Sequence, residues 1–290
     1  MKMSIFVGLF FVLPMSAQPQ IDSTITALQV MGRQILEHPE ATVRDSLNQR
    51  FKSELRAFLG QEGVFQRDLS RINNMMQLVG PKKRFAIFTW QCPDADYKYT
   101  RHGLIAVETR SEIKVIPLTD AMDELGDWTS VYGKPERWPG AIYYQMVPFP
   151  DDKEKFLLLG FAPGEPLNQK IIEVLEIDKR GRVRFGAKVF RIEKWMDRIL
   201  KKAPLRLILK YNAKYSTSVR WNEKNEMVIM DHLAPPDVKM KGLYIMYGPD
   251  FTYDGLYYED DWWHLSEGVQ FNTQQEVIIK PPSEPIDLPK

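Results

Sequence analysis

Cysteine is almost absent from this chain, histidine is scarce, and neither sign of charge prevails. With Cys92 as the lone cysteine no intramolecular disulfide can form. Stability must then come from a buried apolar core, for which 290 residues are ample. The neighbouring "TWQCPD" offers no base to generate a thiolate, so Cys92 is read as a buried, inert thiol. The four histidines, His38, His102, His232 and His264, are too dispersed for a zinc site built on several of them. Lys and Arg number 39 against 38 Asp and Glu, which gives no electrostatic reason to expect nucleic acid or an anionic membrane as partner. No Gly-rich phosphate loop, dinucleotide fingerprint, HExxH helix or Gly-x-Ser-x-Gly elbow occurs. Neither a cofactor nor a metal is implied.

Long apolar runs are missing too. The run Ile5 to Leu13 follows Lys2 and precedes Pro14, Ser16 and Ala17, which is the grammar of a secretory signal over 1–17 cleaved after Ala17 or Gln18. No later segment reaches the roughly 20 apolar residues of a membrane helix, so no transmembrane segment is expected after signal removal. The expectation is an exported protein, periplasmic or secreted. No cysteine follows the cleavage region, which argues against a lipid anchor.

What is present divides in two. From Asp22 to Val79 apolar residues recur at helical spacing. Ile25, Leu28, Met31 and Ile35 make one stripe; Val43, Leu47, Phe51, Leu55 and Phe58 a second; Phe65, Leu69, Ile72, Met76 and Val79 a third. Asp22 or Ser23 is placed to cap the first helix, Thr42 with Asp45 resembles a capping box, and Gly60 ends the second helix. From 83 to about 280 short β-type runs such as "RFAIFTW", "KFLLLGF" and "EMVIMDHL" follow one another, with hairpin punctuation at "DKRG" and "NEKN". Leu205, Leu207, Leu209 and Tyr211 alternate with Arg206 and Lys210, as in a half-buried strand. One or two helical turns are expected around "EKWMDRILKK", and the tail 281–290 is proline-rich. The fold class is α+β, mainly β: a helical region over 22–80, then an antiparallel meander, barrel or propeller-like body over 83–280.

The densest stretch is "YGPDFTYDGLYYEDDWWH", Tyr247 to His264, with five carboxylates and seven aromatic side chains. Asp250, Thr252, Asp254, Gly255 and Asp261 match positions 1, 3, 5, 6 and 12 of a calcium loop, yet Thr and Asp stand where the loop wants a carboxylate and a bidentate Glu. Tyr257, Trp262 and Trp263 could offer flat faces to a carbohydrate, with Asp250, Asp254 or Glu259 accepting its hydroxyls. The economical reading is a hairpin: "LYY" a strand, "EDD" a turn, "WWH" the returning strand. Just upstream, Asp231 and His232 end a strand before two prolines; as neighbours on a strand they point apart and should not bond to each other.

The segments "MVIMDHLAPP" and "YGPDFTYDG", with "GAIYYQMVPF" and "FLLLGF" less closely, resemble a group of uncharacterised secreted proteins of Bacteroidota. The resemblance covers the β-rich half and departs at Thr252 and at "EDDWW". It implies secretion and one continuous β-rich unit, and it carries no activity, cofactor or catalytic residue.

Three functions stay open. The first is an exported binding or cell-envelope-associated protein without covalent chemistry, with a carbohydrate or an envelope protein as partner. The second is a glycosidase-like hydrolase working through carboxylates drawn from Asp231, Asp250 and Asp254 with His232. The third is a structural subunit docking through its helices. Asp231, His232, Asp250, Asp254, Tyr257, Trp262 and Trp263 are the residues to locate.

Overall fold

A computed structural model describes residues 17–96, 98–124, 127–271 and 277–278. Residues 1–16 of the expected signal segment and the whole proline-rich tail lie outside them. Helices α1 (Ala17–Glu37) and α2 (Ala41–Leu59) form a hairpin across Pro39. Leu28, Met31 and Ile35 on α1 and Phe51, Leu55 and Phe58 on α2 are buried, as their spacing predicts. The buried face of α2 is turned toward Arg44 and Asn48, however, leaving Val43 and Leu47 half-buried. Gly60 does end α2. The expected caps do not form: α1 runs back past Asp22 to Ala17, and α2 is preceded by Glu40 without a side-chain cap.

The third stripe is not a helix. Residues 61–74 are mainly turns, and Met75–Val79 is strand β1, so the helical region stops at α2. The Gln77 amide does the work of helical hydrogen bonds here. Its Oε1 accepts from Leu69 N at 2.8 Å, and its Nε2 donates to the carbonyls of Phe65 (3.1 Å) and Arg67 (2.8 Å). Phe65, Leu69 and Ile72 are buried all the same, in irregular backbone.

Three antiparallel sheets follow. Sheet I is the meander β1, β2 (Phe85–Pro93), β3 (Tyr99–Glu108) and β4 (Ile113–Thr119). Sheet II joins β5 (Ile142–Pro148), β6 (Lys155–Ala162), β7 (Leu167–Ile177) and β12 (Arg206–Asn212), with β8 (Val183–Phe185) on β7. Between β8 and β12 the chain supplies β9 (Phe190–Arg191), β10 (Lys194–Trp195) and β11 (Arg198–Ile199). Sheet III comprises β13 (Val219–Asn222), β14 (Met227–Ala234), β15 (Gly248–Glu259) and β16 (Trp262–Ser266), with β9 added parallel to β16. The helical turn expected at "EKWMDRILKK" is instead the β10–β11 hairpin, whose turn residues Met196 and Asp197 both have positive φ.

Strand alternation stacks these pieces into four layers. In β2, Ala86, Phe88, Trp90 and Cys92 face the helices, while Phe85 and Ile87 join Phe156 and Leu158 of sheet II. Leu157 and Leu159 face the other way, against Val228, Met230, Leu256 and Trp263 of sheet III. The order is therefore helices, sheet I, sheet II, sheet III. Among the described residues the sheets close no barrel, and no helix is long and apolar enough to cross a membrane.

Sheet II, covered on both sides, explains why β12 is not half-buried. Arg206 is fully buried; its Nε meets Glu173 Oε2 at 2.9 Å, and its other nitrogens donate to the carbonyls of Trp128, Val131 and Phe185. Tyr143 donates to the second Glu173 oxygen and accepts from Trp138 Nε1. A buried charge persists only when paired and hydrogen-bonded in this way.

Candidate functional site

The segments "MVIMDHLAPP" and "YGPDFTYDG" fold against each other as β14 and β15. Their register runs from Met227↔Tyr257 to Asp231↔Tyr253, then slips so that Leu233 faces Pro249. His232 alone thus faces three residues, Asp250, Phe251 and Thr252, which form a bulge. Asp250 Oδ1 holds the bulge by accepting from Thr252 N (3.0 Å) and Thr252 Oγ1 (2.7 Å). Phe251 takes φ +69 and is 92% exposed. A left-handed conformation costs an L-residue about 1–2 kcal/mol.

The bulge sets His232 diagonally across from Asp254, with Nδ1 2.7 Å from Asp254 Oδ2. The other carboxylate oxygen accepts from Gly268 N at 3.1 Å. The Asp254 hydrogen bond, aided by the fields of Asp254, Asp250 and Glu267, raises the His232 pKa against the opposing effect of burial. The pair opens on a cleft of about 40 Å³ whose other walls include Lys194, Trp195, Asp197, Leu265 and Glu267. That space admits on the order of one to three waters.

Asp231 goes elsewhere, as strand alternation requires. Its Oδ2 accepts from Ser218 N (2.7 Å) and Thr217 Oγ1 (3.2 Å), beside an open groove that Tyr144 and Lys170 also line. The Lys170 ammonium lies 4.8 Å and 4.9 Å from the ring centres of Tyr144 and Phe161, and burial lowers its pKa. Of the four polar candidates the fold joins His232 with Asp254, leaves Asp250 as a neighbouring charge, and directs Asp231 to separate partners.

The aromatic candidates also separate. β15 and β16 are joined by a two-residue turn, Asp260–Asp261, both at positive φ, with Glu259 opposite Trp262. Trp263 is 1% exposed and packs edge-on against Phe149 and Trp221 in the core between sheets II and III, its Nε1 without a hydrogen-bond partner among the described residues. Tyr257 is half-buried on the outer face, stacked on His264 at 5.3 Å. Trp262 is half-exposed beside a groove of about 400 Å³ lined by Phe190, Ile192 and Leu200. No single platform results. The calcium spacing is likewise dispersed: Asp254 lies within extended β15, which rises about 17 Å from there to its end at Glu259, and Asp261 lies beyond that in the β15–β16 turn. Among the described residues no three or more His, Cys, Asp or Glu are grouped to hold a metal.

Sequence reading passed over the segment between the two motifs. In the β14–β15 connection Val238 is 69% and Leu243 57% exposed, with Ile245 and Met246 also open to solvent. The segment is pinned from beneath. Tyr247, fully buried, donates to Asp197 Oδ2 (2.9 Å) and accepts from Gly242 N (2.9 Å); Lys241 Nζ lies 3.1 Å from Asp197, and Asn212 Nδ2 donates to the Ile245 carbonyl at 2.7 Å. The Tyr215 ring lies close against Gly248, where a Cβ would come within 2.7 Å of it. The visible signal was "PPDVKMKGLYIM", aliphatic residues in a Pro- and Gly-punctuated loop where solvated residues are the rule.

No family model matches the chain, and comparison with curated proteins and with solved structures finds no match either.

Proposed function

We propose that the chain is an exported, non-catalytic binding protein of the cell envelope, periplasmic or secreted, whose partner is another envelope protein seated on the β14–β15 connection. The observation that carries this reading is the pinned connection, with Val238 and Leu243 open to solvent, followed on β15 by Phe251, 92% exposed on left-handed backbone. Several exposed apolar side chains gathered in one short segment point to an interaction site. Rigid support beneath it lowers the ordering cost of docking. Aliphatic Val238, Leu243 and Ile245 suit a protein surface better than a carbohydrate, whose hydroxyls they leave unpaired. The test is a photo-crosslinking residue at position 251 in cells exporting the full chain. A discrete adduct with one envelope protein, abolished by Val238→Ser with Leu243→Ser, is expected; no adduct, or one indifferent to those changes, would refute it.

One observation favours a second reading, a hydrolase acting on envelope carbohydrate. His232 is oriented through Nδ1 by Asp254 and keeps Nε2 free of hydrogen bonds to described residues, the arrangement of a general base. Release of reducing ends from envelope glycans, lost in a folded His232→Gln variant, would decide for it.

A further inference from the structure

At the other end of the stack, a second surface lies where α1, the 61–74 turns and the β1–β2 loop meet. It is a groove of about 830 Å³, within the range of ligand sites. Arg67, Arg71 and Lys83 line it, and none makes an ion pair with a described residue.

The groove is built rather than loose. The Gln77 amide fixes the backbone on both sides of Arg67 through Phe65, Arg67 and Leu69. Gln66 Nε2 donates to the Lys83 carbonyl at 3.2 Å, tying the turns to the β1–β2 loop. In that loop Lys82 and Lys83 stand at φ +55 and +53, positions that glycine or asparagine takes at lower cost.

The rest of the lining narrows the ligand. Thr26, Gln29 and Gln66 offer neutral polar groups, and Asp22 and Asp68 add two carboxylates. A dense polyanion would meet repulsion from those carboxylates, with too few hydroxyls to satisfy them. A saccharide carrying spaced carboxylates satisfies both: its acid groups pair with the cations, and its hydroxyls donate to Asp22 and Asp68. We infer that this groove binds an acidic oligosaccharide of the uronate type, independently of the protein-docking surface on sheet III.

Calorimetry on the full chain with a galacturonate hexasaccharide, maltohexaose and inorganic polyphosphate tests this. The uronate is expected to bind at least about tenfold tighter than the neutral sugar and to weaken as salt rises. Arg71→Gln with Lys83→Gln, both exposed and so expected to fold, should weaken it by at least about tenfold, and Lys201→Gln with Lys202→Gln beside Trp262 should not. Absence of uronate binding, equal affinity for maltohexaose, tighter binding of polyphosphate, or equal loss in both double variants would overturn the inference.

Discussion

Two histidines at opposite ends of the stack show how differently its ends are built. His102 lies under α2, stacked on Trp90 at 5.7 Å. Trp90 Nε1 only donates, so it must meet Asn48 Oδ1 (2.8 Å), and the Asn48 NH₂ then donates to His102 Nε2 at 3.0 Å. The imidazole is thereby held neutral, and burial pushes its pKa down to about 4. His232 has the opposite fate: a carboxylate partner, over a third of its side chain exposed, and a pKa pushed up. Around His102 the helical end uses its polar side chains to lock a core; around His232 the sheet III end leaves charge and apolar surface facing outward.

The sharpest way to probe the sheet III end is inside its own hairpin. Trp263→Ala should cost about 3–5 kcal/mol by emptying the core between sheets II and III. Trp262→Ala, at a half-exposed neighbour, should stay within about 1 kcal/mol; equal losses in denaturant unfolding would show that the two tryptophans are not sorted by face.

Acid separates the ends next. The folded pKa of His102 lies below the ordinary value of about 6.5, so its contribution is complete above that pH and is lost as pH falls toward 4, by up to about 3 kcal/mol. His102→Gln should flatten that part of the stability profile. A wild-type profile without a fall across this window would contradict the buried neutral imidazole.

A smaller effect with the opposite sign is expected at the bulge. Phe251→Gly relieves the left-handed backbone and should stabilise the chain by about 1 kcal/mol while weakening docking, an outcome a purely structural Phe251 would not give. The smallest belongs to the His232–Asp254 pair. Its folded pKa is raised, so the stability it adds is full below pH of about 6.5 and disappears as pH rises through the folded value. Asp254→Asn should cost at most about 1 kcal/mol at pH 5.5 and less at pH 8.5, because solvent screens a pair this exposed.

The layered outline was largely legible. Helix spacing in α1 and α2, the hairpins at "DKRG" and "NEKN", and the "LYYEDDWW" hairpin all follow from local period and turn chemistry. Reading failed where a distant side chain overrode local pattern. Gln77 keeps Phe65, Leu69 and Ile72 in turns, and Glu173 allows Arg206 into the interior. At the candidate site, the opposite directions of Asp231 and His232 followed from alternation. The meeting of His232 with Asp254 depended on a bulge and register that spacing alone does not encode.

The claim that the two ends are built oppositely is tested most directly by an NMR titration of the imidazoles in the full chain, assigned with His102→Gln and His232→Gln. His102 should titrate near 4, and His232 above about 6.5, falling toward it in Asp254→Asn. A His232 titrating at or below the ordinary value, or indifferent to Asp254→Asn, or a His102 titrating like free imidazole, would contradict the account.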